Sequence, residues 1–404
     1  FNISEFGGDV KLTFPRIIFP INTEKLIPKY MSPSTSVSFG ASLQNNIGLD
    51  RQTISGIYNY RWKPSKILTY QVDLLNLQYV RNLNVENYYN VYKSSYNRLN
   101  EIAQSLNYDF NIPDTNPTLE IPDETEQFIA DVLNQNIASN TDTFDEVLSI
   151  AERQARLTEN NLIFASNITL TRDTRENIND NNFSRLRLKL ESAGNVLSGI
   201  SSLAGSQKNS AGNYRALGVV YSQYIKPEAE YIKHWDIDGK NIIAVRAFGG
   251  IAIPYGNSNS IPFTRSYFAG GANDNRGWKA YDLGPGSSGS ILDFNDANFK
   301  LAFNAEYRFT ILGDFKGGLF VDAGNIWNVL DNIEDEASVF NGIADLKEIA
   351  VATGIGLRYD FGFFVFRFDV GFKTHNPGNP IGERWFTDYS FRKAVYNIGI
   401  NYPF

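Results

Sequence analysis

The sequence of 404 residues has no cysteine, one methionine and two histidines. Without cysteine there is no disulfide framework, no thiol catalysis and no thiolate metal site. His234 and His375 fall on different predicted elements. No serine or cysteine elbow and no carboxylate cluster at metal-ligand spacing accompanies them, so no enzyme activity, cofactor or metal is expected. No phosphate-cradling loop is present. No apolar run reaches the roughly 18 to 20 residues a membrane helix needs. The formal net charge of −7 gives no electrostatic reason to expect nucleic-acid binding. The chain starts at Phe1 and its only methionine is Met31, so a processed or truncated product is expected, with any signal peptide outside it.

What the chain does have is aromatics: 29 Phe, 22 Tyr and 5 Trp, with a mean hydropathy of only −0.29. A soluble core would favour Leu and Val over Tyr. A membrane barrel, apolar on its lipid face alone and girdled by aromatics, fits this balance. Period-2 alternation runs from end to end. Phe6, Val10, Leu12 and Phe14 alternate with Glu5, Asp9, Lys11 and Thr13. Leu186, Leu188 and Leu190 alternate with Arg185, Arg187, Lys189 and Glu191. Phe366, Phe368, Val370 and Phe372 face away from Arg367, Asp369, Gly371 and Lys373. A soluble sandwich also alternates, but a heavily charged second face over about ten residues per segment favours lipid outside and a wet lumen inside.

The alternation predicts an all-β, antiparallel transmembrane barrel of about thirteen strands. They fall near 3–14, 35–45, 53–62, 66–80, 162–172, 182–193, 214–237, 241–253, 299–311, 315–327, 350–360, 363–373 and 395–404. Within 214–237, Gly212 and Pro227 blur two segments, 214–225 and 226–237, that read as one strand with a leader. Short turns are expected at Lys63-Pro64-Ser65, Asp238-Gly239-Lys240, Gly313-Asp314 and Asp360-Phe361-Gly362. Long connections are expected at 81–160, 194–213, 254–298, 328–349 and 374–394. That asymmetry puts the short turns and the C-terminus in the periplasm and the long loops outside the cell. Within 81–160, helices are expected from Asp123, with Phe128, Ile129, Val132 and Leu133 on one face, and after Asp142, with Phe144, Val147, Leu148 and Ala151. Tyr88 to Leu106 is a third, weaker candidate. A helical extracellular cap results, either decorative or docking a partner.

One loop carries a motif. Phe268-Ala269-Gly270-Gly271-Ala272-Asn273-Asp274-Asn275-Arg276-Gly277-Trp278 is followed by Leu283-Gly284-Pro285-Gly286. Downstream, Asn304-Ala305-Glu306-Tyr307-Arg308-Phe309 and Phe320-Val321-Asp322-Ala323-Gly324 each place one acid on the polar side of a strand. A guanidinium is planar and always charged, so it can hold two carboxylates through forked hydrogen bonds. Gly270, Gly271 and Gly277 allow backbone conformations and close approaches that other residues resist. The chain also ends on Val395-Tyr396-Asn397-Ile398-Gly399-Ile400-Asn401-Tyr402-Pro403-Phe404, an alternating segment with a terminal aromatic.

These features resemble the Omp85 family of outer-membrane assembly barrels. Gly382-Glu383-Arg384-Trp385, Phe14-Pro15-Arg16 and Phe19-Pro20 are similar to its TamL-like branch in Bacteroidetes. Taken alone, the first reads equally as an exposed turn with an interfacial Trp. The resemblance implies sixteen strands, so about three N-terminal strands and the periplasmic POTRA domains are expected to lie outside residues 1–404. It implies a loop folded into the lumen and pinned by Arg276, Gly277, Trp278, Gly270 and Gly271 against Glu306 and Asp322. It implies a C-terminal assembly signal in Tyr396, Ile398, Gly399, Ile400, Tyr402 and Phe404, with Gly399 either loosening a seam or simply kinking a strand. The implied activity is insertion of outer-membrane proteins or translocation of substrates. The implied partners are outer-membrane lipids, unfolded client proteins, and a TamB-like periplasm-spanning protein or accessory lipoproteins. A main insertase of BamA type and a passive porin are the alternatives.

Overall fold

The computed structural model describes residues 3–46, 50–111, 117–177, 180–210, 212–289, 295–333 and 335–404. Thirteen long strands form one continuous antiparallel sheet in which each pairs with its neighbours in sequence. They are β1 (Ile3–Phe14), β2 (Ser34–Asn46), β3 (Asp50–Ser65), β4 (Leu68–Leu83), β5 (Asn161–Asp173), β6 (Ser184–Ala193) and β7 (Tyr224–Asp236). The series continues with β8 (Asn241–Ile251), β9 (Phe299–Leu312), β10 (Phe315–Trp327), β11 (Ala350–Asp360), β12 (Val365–His375) and β13 (Val395–Ile400). β1 and β13 are the two ends of that order.

The faces separate as alternation requires. Phe303, Leu319, Val321, Ile355, Leu357 and Ile398 are exposed on one face. Glu306, Arg308, Asp322, Arg358 and Asp369 are buried on the other. Apolar residues outside and charges inside invert the soluble arrangement, and that inversion identifies the outer face as the one that meets lipid.

Three local readings need correction. Residues 214–223 form no part of the wall, which starts at Tyr224: Arg215–Ala216 and Val219–Val220 make a small hairpin. Leu217 and Gly218 turn it with φ of 51° and 83°. The Lys63-Pro64-Ser65 turn moves outward to residues 66–67, because β3 absorbs Pro64 at a register shift between Trp62 and Ser65. A bulge needs no ladder donor there, which is what proline lacks. The last strand ends at Ile400, not Phe404, because Asn401 takes φ 65° and sends the tail inward.

The insertion between β4 and β5 holds α1 (Tyr88–Val91), α2 (Lys93–Ser105), α3 (Asp123–Leu133) and α4 (Thr141–Thr158). Its core is Leu99, Ile102, Phe128, Val132, Val147 and Ile150. Asn140 caps α4 by accepting from the Thr143 backbone N–H at 2.8 Å. Arg156 of α4 pairs with Asp296, tying this cap to the 254–298 loop. A fifth helix, α5 (Asn195–Leu203), lies in the 194–213 connection, where the sequence reading had only a loop.

Candidate functional site: an arginine loop inside the lumen

β8 and β9 pair in continuous register from Asn241↔Phe309 to Ile251↔Phe299. Their long connection folds back inward. Bridges Tyr267↔Ala297 and Ala269↔Leu283 close it into a narrow lobe. Trp278 and Leu283 seat that lobe in an apolar cluster with Ile326, Ala350 and Ala352. Gly270 and Gly271 carry φ of 93° and 99°. At Gly270 a Cβ would also collide with the Lys279 carbonyl oxygen.

The lobe brings Arg276 to the wall. The β9–β10 register sets Asn304 opposite Asp322 and Glu306 opposite Phe320, which puts both acids on the lumen side. Arg276 Nε donates to Asp322 Oδ2 at 2.8 Å and Nη2 to Asp322 Oδ1 at 2.9 Å, a bidentate fork. Its backbone N–H also reaches Asp322 Oδ2, at 3.1 Å. Nη1 donates to Glu306 Oε2 at 2.6 Å. The guanidinium lies 3.5 Å over the Phe320 ring, adding a cation–π contact.

The cluster extends past the residues the motif named. Arg308 and Arg358 each donate to Glu306 Oε1 at 2.9 Å. Arg367 donates to Asp369 Oδ2 at 2.9 Å, and Asp369 stands 3.6 Å from Arg276. Arg358 Nη1 and Asp369 Oδ1 make an ion pair at 2.9 Å. Four arginines (276, 308, 358, 367) meet three acids (306, 322, 369), so the cluster carries 4 − 3 = +1, and no member is more than 3% exposed. The wall makes room with glycine. A Cβ at Gly371 would strike the Arg276 carbonyl oxygen, and one at Gly356 would strike Arg358 and Asp369.

The loop touches the remaining neighbouring strands too. Asn397 of β13 donates to the Arg276 carbonyl at 3.0 Å. Arg367 donates to the Ala272 carbonyl at 2.7 Å and to the Asn273 side chain. A second anchor lies on the far wall. Arg265 donates to Asn76 of β4 at 3.0 Å and faces Glu191 of β6 at 3.7 Å. Lys226 of β7 donates to the Arg265 carbonyl at 2.6 Å, and Tyr267 donates to Glu228 at 3.0 Å. The loop is therefore a crossbar from the β4–β7 wall to the β9–β13 wall.

At the C-terminus, Tyr396, Ile398 and Ile400 point outward and are exposed. Tyr402 and Phe404 turn in: the Arg308 guanidinium sits 4.1 Å over the Tyr402 ring and donates to the Phe404 carbonyl at 3.1 Å. Gly399 leaves room for the Arg367 guanidinium, since a Cβ there would come within 2.6 Å of Arg367 Nε. Trp385 packs against His375 with ring centroids 4.5 Å apart and the rings tilted by 45°, in a loop whose Arg384 donates to the Asn379 carbonyl at 3.1 Å. The motif could not name Arg265, Arg358, Arg367 or Asp369. Arg367 and Asp369 do share the charged side of β12, which was the signal available.

The loop after β12 is fastened by Asp388. Its carboxylate accepts from Lys393 at 2.6 Å, Asn376 at 2.7 Å and Asn379 at 3.0 Å. Burial alone would raise its pKa, but these donors together prevail and hold it at about 2. The folded value lies below the unfolded one, so this stabilisation is complete above about pH 4 and fades as pH falls through 2. Pepsin is expected to cut among Phe386, Tyr389 and Phe391 only toward the acid end of that window in the wild type. The Asp388→Asn variant is expected to be cut across all of it.

Residues 1–387 match the Omp85 superfamily domain. No curated protein matches the sequence. Among solved structures, the fold is similar to BamA from Haemophilus ducreyi lacking POTRA domains 1–3, at 13% identity and a TM-score of 0.54. That alignment covers 98% of this chain and 61% of the BamA chain, so the present sequence spans about three fifths of it. CdiB from Acinetobacter baumannii aligns at 11% identity over 99% of this chain and 57% of its own, but its TM-score of 0.35 is too low to bear on the fold.

Proposed function

Since this chain belongs to the Omp85 superfamily and is an outer-membrane β-barrel of that family, we propose that it inserts outer-membrane proteins or translocates substrates to that membrane, as a TamL-like assembly subunit. Its partners in this reading are membrane lipids, unfolded barrel clients and a periplasm-spanning or lipoprotein subunit. The short turns face the periplasm, and the helical insertion faces out. The observation that carries the reading is the fully buried clasp of Arg276 on Glu306 and Asp322. Its role is mechanical, not catalytic: it pins a lumen loop and holds the last five strands in one shape. A main insertase of BamA type would use the same clasp. A passive porin has no use for a loop anchored to both walls, which obstructs the path it should leave open.

The test is Arg276→Ala in the full-length protein, scoring client assembly and insertion of this barrel separately. Client barrels are expected to accumulate unfolded by several-fold while this barrel still reaches the membrane. Normal client assembly by an inserted variant would overturn the reading.

A further inference from the structure

Below the crossbar, at the short-turn end of the lumen, lies a cavity of about 590 Å³ lined by β3 to β6 and their turns. Its wall carries seven cationic and two acidic side chains, 7 − 2 = +5, in a chain whose formal net charge is −7. Two of the cations are spoken for: Lys189 pairs with Glu191, and Arg175 stacks on Phe183 at 3.7 Å. Arg61, Lys63, Lys66, Arg185 and Arg187 make no ion pair among the described residues. The nearby acids are occupied. Asp73 accepts from Asn59 at 2.6 Å and Asn167 at 2.7 Å, Asp173 from the Arg175 backbone at 3.0 Å, and Glu230 from Arg246 at 2.8 Å.

Five cations around one concave space repel one another and focus a positive potential into it. The remaining lining explains what that potential can hold. Thr69, Thr169 and Thr171 add hydroxyl donors, and Ile67 is the one apolar residue among those lining the cavity. Such a wall offers nothing to an acyl chain or an apolar peptide. Three guanidiniums with hydroxyls between them suit a tetrahedral anion that takes donors from several directions. We propose that this basin is a binding site for phosphate groups, entered from the short-turn side and roofed by the Arg265–Asn76 contact of the crossbar.

The experiment titrates inorganic pyrophosphate into the folded barrel in zwitterionic micelles, by calorimetry at low and raised salt. Saturable binding that weakens with salt is expected. The Arg185→Gln/Arg187→Gln variant is expected to lose roughly tenfold or more in affinity, about 1.4 kcal/mol. Arg172→Gln, on the lipid-facing side of β5, is expected to bind like the wild type. Heat-modifiable gel migration confirms that each variant is folded. Micelles doped with phosphatidylglycerol then assign the source. Competition with pyrophosphate means a lipid headgroup enters the basin, and its absence means a soluble phosphate compound does. No saturable binding, equal binding by the double variant, or binding of an acidic peptide in place of pyrophosphate would overturn the proposal.

Discussion

Glu306→Ala is expected to be the most destabilising single substitution in this barrel. Both of its oxygens are committed, Oε2 to Arg276 at 2.6 Å and Oε1 to Arg308 and Arg358 at 2.9 Å each. Removing it leaves four guanidiniums with two acids, 4 − 2 = +2, in a site almost closed to water. Breaking a buried pair from one side costs about 3 to 5 kcal/mol, because a charge is left without compensation. Here three charges lose a partner at once, so the upper end of that range is expected. Urea unfolding of the barrel in lipid vesicles would measure it. Glu306→Gln keeps the volume and loses the charge, so it should show most of the same loss. If Glu306→Ala unfolds no more easily than Leu319→Ala on the lipid face, the hub does not stabilise the barrel.

Arg276→Ala differs in kind. It leaves three arginines with three acids, 3 − 3 = 0, and Glu306 keeps Arg308 and Arg358. Asp322 is the acid that suffers: it loses the guanidinium fork and retains Asn304 at 2.9 Å and the backbone N–H of residue 276 at 3.1 Å. The wall therefore survives while the loop loses its charged anchor on this side. Glu306 reports on stability and Arg276 on loop position, and the two substitutions separate folding from function.

Much of this was legible in the sequence because alternation fixes a face. Once Phe320 and Asp322 share a parity, the register with Asn304 and Glu306 follows, and the acids of the motif must meet the lumen. The same logic put Arg367 and Asp369 inside. It could not say that the loop reaches as far as β12, because parity gives direction and not depth. Arg265 was invisible for the same reason: nothing near it in sequence marks Glu191, 74 positions earlier by 265 − 191, as its neighbour. The inward tail was missed because its decisive event is one backbone torsion, at Asn401. The 63–65 turn slipped because proline reads as a strand end, whereas a bulge let it stay in the ladder.

Freeing both anchors of the crossbar is expected to have the largest effect on conduction. Arg265 and Arg276 hold opposite walls, and the segment between them, 266–275, contributes its own ties at Tyr267 and Ala272. With one anchor cut, the other keeps the loop across the lumen, so Arg265→Ala or Arg276→Ala alone should give brief openings in planar bilayers. With both cut, no ion pair of the two arginines is left: the apolar seat of Trp278 and Leu283 against Ile326 and Ala352 remains on one side, and the Tyr267–Glu228 and Lys226–carbonyl 265 hydrogen bonds on the other. The Arg265→Ala/Arg276→Ala barrel is then expected to conduct steadily, with an open probability far above the sum of the single variants. Non-additivity of that size is the signature of two contacts sharing one mobile element. A double variant that stays closed would assign the closure to the Trp278 seat together with the Tyr267 and Lys226 ties, and the arginine ion pairs would then serve the wall and not the gate.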